Sequence, residues 1–499
     1  MRGLYLCALP FAVAYSNHPV EYVAQQWLEG TQSSQRLDPP SCDTTYSEQE
    51  VLAQAATDSL VSQGWETVEG KMIFTSAHMF GNNPSSVYGI LLFHEFPLFQ
   101  MGELDAIMWL GCTPPALEYF SARSYVLGTV ASPRLPFPLT RETPIFASLG
   151  DSLNNLRFNS TGGPSSPDNL NRTSAIIITA NRGTAAIVAD ALVENGLTSD
   201  AINYDWMPSS LLRMSTSGPH VPFDELLIDQ SYQFLFRVSL FEDADAGHRY
   251  ANSSFPVRMF HKPSGGADDI PVDLAPVPEQ IPRGTGTDES WLRPSLDQLS
   301  ADSSSFWSGR GCRLNRTVSL YPIDIEGVLD CLPNTVVCGG DNRDAAYLSD
   351  FTASFTLAPE GVASFLVVTG VNHKNAGKAT YSNIVIETAP EDKGVFNVTC
   401  NGRVAVESDR YEGTADVLSP DNGEADKLFA FAVSRDCEEL RARAGSEQLG
   451  CLQIEDHMVR GPNPLRVVER AYLEPETTTG PAYEELLWAM VSEFVCDEF

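Results

Sequence analysis

Residues 174–207 read SAIIITANRGTAAIVADALVENGLTSDAINYDWM, and this stretch decides the fold class. Its opening, SAIIITA, centres on a β-branched apolar run of the kind found in a strand buried on both faces. RGTAAIVADALVENG then spaces alanine, valine and leucine at helical intervals and stops at Gly196, a residue suited to closing a helix. AINYDWM supplies a further strand. Strand, helix and strand in that order predict a β-α-β unit, which places helix and sheet in one domain.

The flanks extend this reading in both directions. Upstream, TYSEQEVLAQAATDSLVSQGW places Val51, Leu52, Ala55 and Leu60 at helical intervals and ends near Gly64, as an amphipathic helix with a glycine cap would. SVYGILLFHEF, DAIMWLGC, EYFSARSYVLGTV and TPIFAS follow as short strands broken by glycine and proline, and YQFLFRVSLF and FPVRMFH come after the unit. These segments make residues 15–263 a mixed α/β domain. Lys262 to Gly286 then reads KPSGGADDIPVDLAPVPEQIPRGTG, where repeated proline removes backbone donors and favours extended chain. Residues 264–310 are accordingly expected to form a Pro/Gly-rich linker, with a short helix in ESWLRPSLDQLS limited by Pro294. Residues 311–499 read as strands separated by Gly, Pro, Asn and Asp, which predicts a mainly antiparallel β-sandwich or jelly-roll-like domain. GPAYEELLWAMVSEFV, with Leu486, Leu487, Met490 and Phe494 on one face, predicts a C-terminal helix. The fold class is α+β.

Whole-chain properties set the compartment. A chain of 499 residues exceeds what one hydrophobic core normally serves. Sixty-five acidic residues against 32 basic ones give a net charge of -33, with no basic patch to offset it, which speaks against nucleic acid as a partner. Residues 1–14 carry Arg2, an apolar run from Leu4 to Val13 and the small-residue pattern Ala12-Val13-Ala14, the order of a secretory signal peptide. No segment reaches the length of a transmembrane span. Nine of the ten cysteines lie beyond residue 14, six of them between Cys312 and Cys451, as in a disulfide-stapled secreted protein. Cys331 with Cys338 and Cys437 with Cys451 are spaced for local bridges, and Cys112, within an apolar strand, is the candidate free thiol. Sequons at Asn159, Asn171, Asn252, Asn315 and Asn397 point to N-glycosylation.

Candidate chemistry comes from three places. Gly150-Asp151-Ser152-Leu153 follows the apolar PIFAS, and Asp245-Ala246-Gly247-His248 follows YQFLFRVSLF. In both respects the chain resembles the GDSL (SGNH) hydrolases, and the resemblance implies Ser152 as nucleophile, His248 as base and Asp245 as the acid that orients it. A serine hydroxyl needs such neighbours because it is a weak nucleophile until an imidazole takes its proton. The family's Gly-x-Asn-Asp block has no match in this chain. Asp243-x-Asp245-x-Gly247 also resembles the start of a calcium loop, but Ser254 stands where the closing Glu belongs. In VNHKNAGKATYSN, residues Asn372, His373, Tyr381 and Asn383 form a polar cluster between apolar strands, suited to ligand binding or to a solvated turn. No zinc spacing and no nucleotide-binding glycine motif occurs, so neither metal nor cofactor is expected. Two readings stand. One is an extracellular binding or structural glycoprotein with an unidentified ligand; the other is an extracellular serine ester hydrolase acting on a small ester.

Overall fold

The Asn181 side chain accepts the backbone N–H of Thr184 and so starts the helix Arg182–Glu194. Such a cap satisfies one of the donors that a helix start leaves open. Gly196, at φ +108°, turns the chain out of the helix. Ile202–Trp206 then returns parallel to Thr173–Thr179, with Ile202 opposite Ala175. The expected β-α-β unit is present. It belongs to a computed structural model that describes residues 42, 47–75, 83–94, 98–130, 142–164, 169–212, 214–215, 231–263, 270, 272–277, 279–323, 327–336, 338–358, 364–388, 403–454 and 464–497. The expected signal peptide and the sequon at Asn397 lie outside the described residues.

This unit forms one edge of a ten-stranded sheet. From Thr173–Thr179 the order runs through Ala106–Cys112, Ser254–His261, Glu66–Thr75, Ser86–Phe93, Tyr232–Phe241, Leu117–Val130 and Glu142–Ser148, every one of these pairs antiparallel. Side-chain alternation places the two faces in different cores. Ile107 and Trp109 join Phe236 and Phe255 on one side, while Met108 and Leu110 join Ala53, Leu60, Val188 and Leu192 on the other, beneath the helices Ser47–Ser62 and Arg182–Glu194. Burying each such side chain contributes about 1.5–3 kcal/mol, which makes the apolar runs, rather than the helix, the main support of the sheet.

Two five-stranded sheets follow. The first has the order Cys312–Ser319, Met490–Cys496, Ser364–Val371, Leu428–Ser434, Cys451–Gln453; the second runs Tyr321–Pro322, Ala345–Ser349, Leu465–Tyr472, Tyr381–Thr388, Arg403–Glu407. They share a core in which Leu366, Val368, Phe431 and Val491 of the first meet Leu348, Ile384, Val406 and Val467 of the second. The outer face of the first sheet is covered by the helices Arg293–Ser308 and Cys437–Ala444 through Trp307, Phe365, Leu440 and Phe494. The class is therefore mixed α+β.

Three expectations are corrected. The C-terminal helix is absent: a short turn at Tyr483–Glu485 leads into the strand Met490–Cys496, which is paired on both sides. Its apolar residues divide between two cores, Val491 to one and Phe494 to the other, and no single helix face can serve both. The helix after the proline-rich segment is longer than expected, spanning Arg293–Ser308, because Pro294 sits in its first turn, where a missing N–H costs nothing. Cys112 is not free; it is bonded to Cys42. The other bridges are Cys312–Cys496 and the two local ones expected from spacing, Cys331–Cys338 and Cys437–Cys451.

Candidate functional site

The Gly150-Asp151-Ser152 turn is docked against residues 341–344. The Asp151 carboxylate takes Arg343 Nε at 2.6 Å and the backbone N–H of Ile281 at 2.7 Å. Ser152 is buried, and its hydroxyl donates to Asn342 Oδ1 at 3.2 Å. Asn154 donates to Asp344 at 2.8 Å, and Ser148 gives both its N–H and its hydroxyl to Asp341 at 2.8 and 2.6 Å. Asp245 and His248 lie on the helix Ala244–Ala251, which Asp243 starts by accepting the Ala246 N–H. Asp245 is exposed and His248 half-buried. Among the described residues no imidazole is hydrogen-bonded to Ser152, and no group of three metal-ligating side chains comes together.

Behind this docking segment, the ten-stranded sheet meets the second five-stranded sheet through an aromatic and polar layer. Tyr88, Tyr119, Tyr125 and Arg237 come from the large sheet; Tyr347, Tyr381, Asn383, Arg470, Tyr472 and Glu407 come from the smaller one. The Tyr381 and Tyr472 rings stack at 4.9 Å, and Tyr119 lies 4.7 Å from Tyr472. Arg237 sits over the Tyr125 ring at 5.0 Å, a contact that a desolvated guanidinium gains from the ring quadrupole. Asn83 bridges the layers: its amide donates to the Tyr381 hydroxyl at 3.0 Å and accepts from Asn383 at 2.8 Å, and its backbone N–H donates to the Tyr88 hydroxyl at 2.9 Å. Tyr381 in turn donates to Glu407 Oε2 at 2.6 Å.

Burial sets the protonation of this layer. It pushes the Glu407 carboxyl up to about 8 against the pull of the Tyr381 hydrogen bond, and the Asp344 carboxyl up to about 6 against those of Asn154 and Tyr119. Asn383 and Glu407 stand directly opposite one another across their strand pair. Their outer oxygens, Asn383 Oδ1 and Glu407 Oε1, are both buried without a hydrogen-bond partner. An ionised carboxylate with an unsatisfied oxygen is costly in a dry interior, and a proton on Glu407 removes the charge.

His373 is also interior, not part of a solvated turn. Its Nδ1 meets Glu289 at 2.7 Å and its Nε2 meets Glu469 at 3.2 Å, with the imidazole and both carboxylates almost fully buried. The second oxygens of those carboxylates accept the backbone N–H groups of Leu487 and Ala489. Burial alone would lower the imidazole's affinity for its proton; the Glu289 charge and the hydrogen bonds that both ring N–H groups donate to the glutamates overcome it and raise the pKa to about 10. His373 is thus a cationic clasp joining the segment before the helix Arg293–Ser308 to both five-stranded sheets. Asn372 is buried beside it, with its backbone N–H donated to Lys427. The structure therefore brings Tyr381 and Asn383 into one network and places His373 in another.

Sequence reasoning missed the tyrosine layer and its arginines. A signal was present: Arg237 is the single charge inside the otherwise apolar strand YQFLFRVSLF, and LRVVERAY sets Arg466, Glu469 and Arg470 among apolar residues, and arginine is rarely buried without partners. Arg123 is another arginine inside a long strand, and it pairs with Asp205 at 2.6 Å, both side chains buried.

No family profile and no curated protein matches this chain. A search of solved structures returns the N-terminal CBM22-1–CBM22-2 tandem domain of Paenibacillus barcinonensis Xyn10C, at 8% identity over 87% of this chain and 94% of that one, with a TM-score of 0.14. A score that low demonstrates no shared fold, and nothing is carried over from it. The four disulfides are consistent with an extracellular protein. Among the described residues no helix is long and apolar enough to cross a membrane.

Proposed function

We propose that the protein is an exported, disulfide-stapled glycoprotein that acts by binding or as a structural element and has no serine nucleophile. The observation that carries this reading is the position of Ser152. Its hydroxyl is buried and committed to Asn342, in a turn held down by the Asp151–Arg343 ion pair. An activated serine needs an imidazole within hydrogen-bond reach, and the hydroxyl faces an amide oxygen instead. The other polar residues that suggested a site, His373, Tyr381 and Asn383, are spent on joining sheets and strands.

The test is treatment of the purified exported protein with a fluorophosphonate probe and a panel of aryl esters, alongside Ser152→Ala. No labelling and no turnover are expected, and the substitution is expected to lower stability by about 1 kcal/mol through the lost hydrogen bond. Labelling at Ser152, with ester turnover abolished in Ser152→Ala, would overturn this reading in favour of the ester hydrolase.

A further inference from the structure

The strand Cys312–Ser319 is an edge of its sheet: among the described residues it pairs only with Met490–Cys496, and Arg313 through Thr317 are all exposed. Leu314 adds an apolar side chain that is 41% exposed. A strand edge of this kind offers unpaired N–H and C=O groups to any second strand, and secreted proteins need some device to prevent it. The chain places two features at one residue here. Register shifts between Leu314 and Arg316, which leaves Asn315 as the extra residue of a bulge, and Asn315-Arg316-Thr317 is a glycosylation sequon.

We propose that Asn315 carries an N-linked glycan and that this glycan closes the edge against strand addition. The transfer joins Asn315 Nδ2 to the anomeric carbon of an oligosaccharide, breaks that carbon's bond to its lipid diphosphate donor and releases one amide proton. The nitrogen keeps one N–H, so its contact with Glu493 Oε2 at 2.9 Å survives. Arg316 shares the same carboxylate oxygen at 2.8 Å and holds the bulge in place. Asn159 and Asn171 are half-buried, whereas Asn252 is exposed and caps the end of the helix Ala244–Ala251. Among the described sequons, Asn315 alone lies on an exposed edge strand.

The inference rests on export, so Asn252 serves as its control. Protein secreted from a eukaryotic host is digested and peptide masses are compared before and after enzymatic glycan release, and sedimentation measures self-association of wild type, Asn315→Gln and Thr317→Ala. Both variants delete the sequon, but Thr317→Ala leaves the Asn315–Glu493 hydrogen bond intact. The expected result is an occupied Asn315 and a shift from monomer towards dimer in both variants. The same shift is expected when the folded wild type is trimmed with an endoglycosidase, which removes misfolding as an explanation. An occupied Asn252 with a bare Asn315 would overturn the proposal while leaving export standing. Wild-type-like sedimentation of both variants and of the trimmed protein would refute the edge-closing role.

Discussion

Replacing Glu407 by Gln should stabilise the protein at neutral and alkaline pH and leave it unchanged in acid. The unfolded chain gives up the Glu407 proton near pH 4.5, and the folded protein keeps it until about 8. Between those values the folded state binds more protons than the unfolded one, so its stability falls as pH rises. The loss is about 1.4 kcal/mol per pH unit, reaching on the order of 3 kcal/mol by neutral pH and levelling off above 8. Below 4.5 there is no loss. Glutamine reproduces the neutral acid: its carbonyl can accept from Tyr381, and its amide carries no charge to desolvate. The assay is thermal melting of wild type and Glu407→Gln across the pH range. The two midpoints should coincide in acid and separate by several degrees in weak base, the variant higher. A variant that melts lower than wild type in base would refute the reasoning, since it would mean that the ionised carboxylate is the form the fold requires.

Three further outcomes concern the His373 clasp and the segment that carries Glu289. His373 has its pKa raised from 6.5 to about 10; its contribution is fully present below 6.5 and is lost progressively as pH climbs to about 10, so wild-type stability should decline over that window and level off above it. His373→Ala should cost about 3–5 kcal/mol by chemical denaturation, because it strands two buried carboxylates. Limited proteolysis should spare residues 281–289, although their proline and glycine content suggests an open connector: Ile281, Thr285 and Gly286 donate backbone N–H groups to carboxylates, and Glu289 holds His373. Early cuts there would show that this strap is loose in solution.

How far the sequence could be read depended on the range of the interactions involved. The β-α-β unit was legible because strand, helix and cap are written within 174–207, and local periodicity decides each of them. The C-terminal segment misled for the same reason: Leu487, Met490 and Phe494 have helical spacing, but their partners are residues such as Phe365 and Leu428, which no local window contains. Polar residues in the His373 loop were visible, whereas their burial was not, since it depends on Glu289 and Glu469 arriving from distant parts of the chain. Ser152 shows how little a tetrapeptide fixes. The same turn can present a hydroxyl to solvent or tuck it under a neighbour, and Asn342 and Arg343 determine which.

The Cys312–Cys496 bridge joins positions 184 apart in sequence, the first and second strands in the order of their sheet. Tension applied to the two ends of the chain enters this region at one sulfur and leaves at the other. Everything between is a covalent bight bypassed by the path that tension follows. It stores roughly 600 Å of contour length that stretching cannot draw out. Only a reductant releases it, so the extension that tension can draw from this chain is fixed by the redox state of its surroundings.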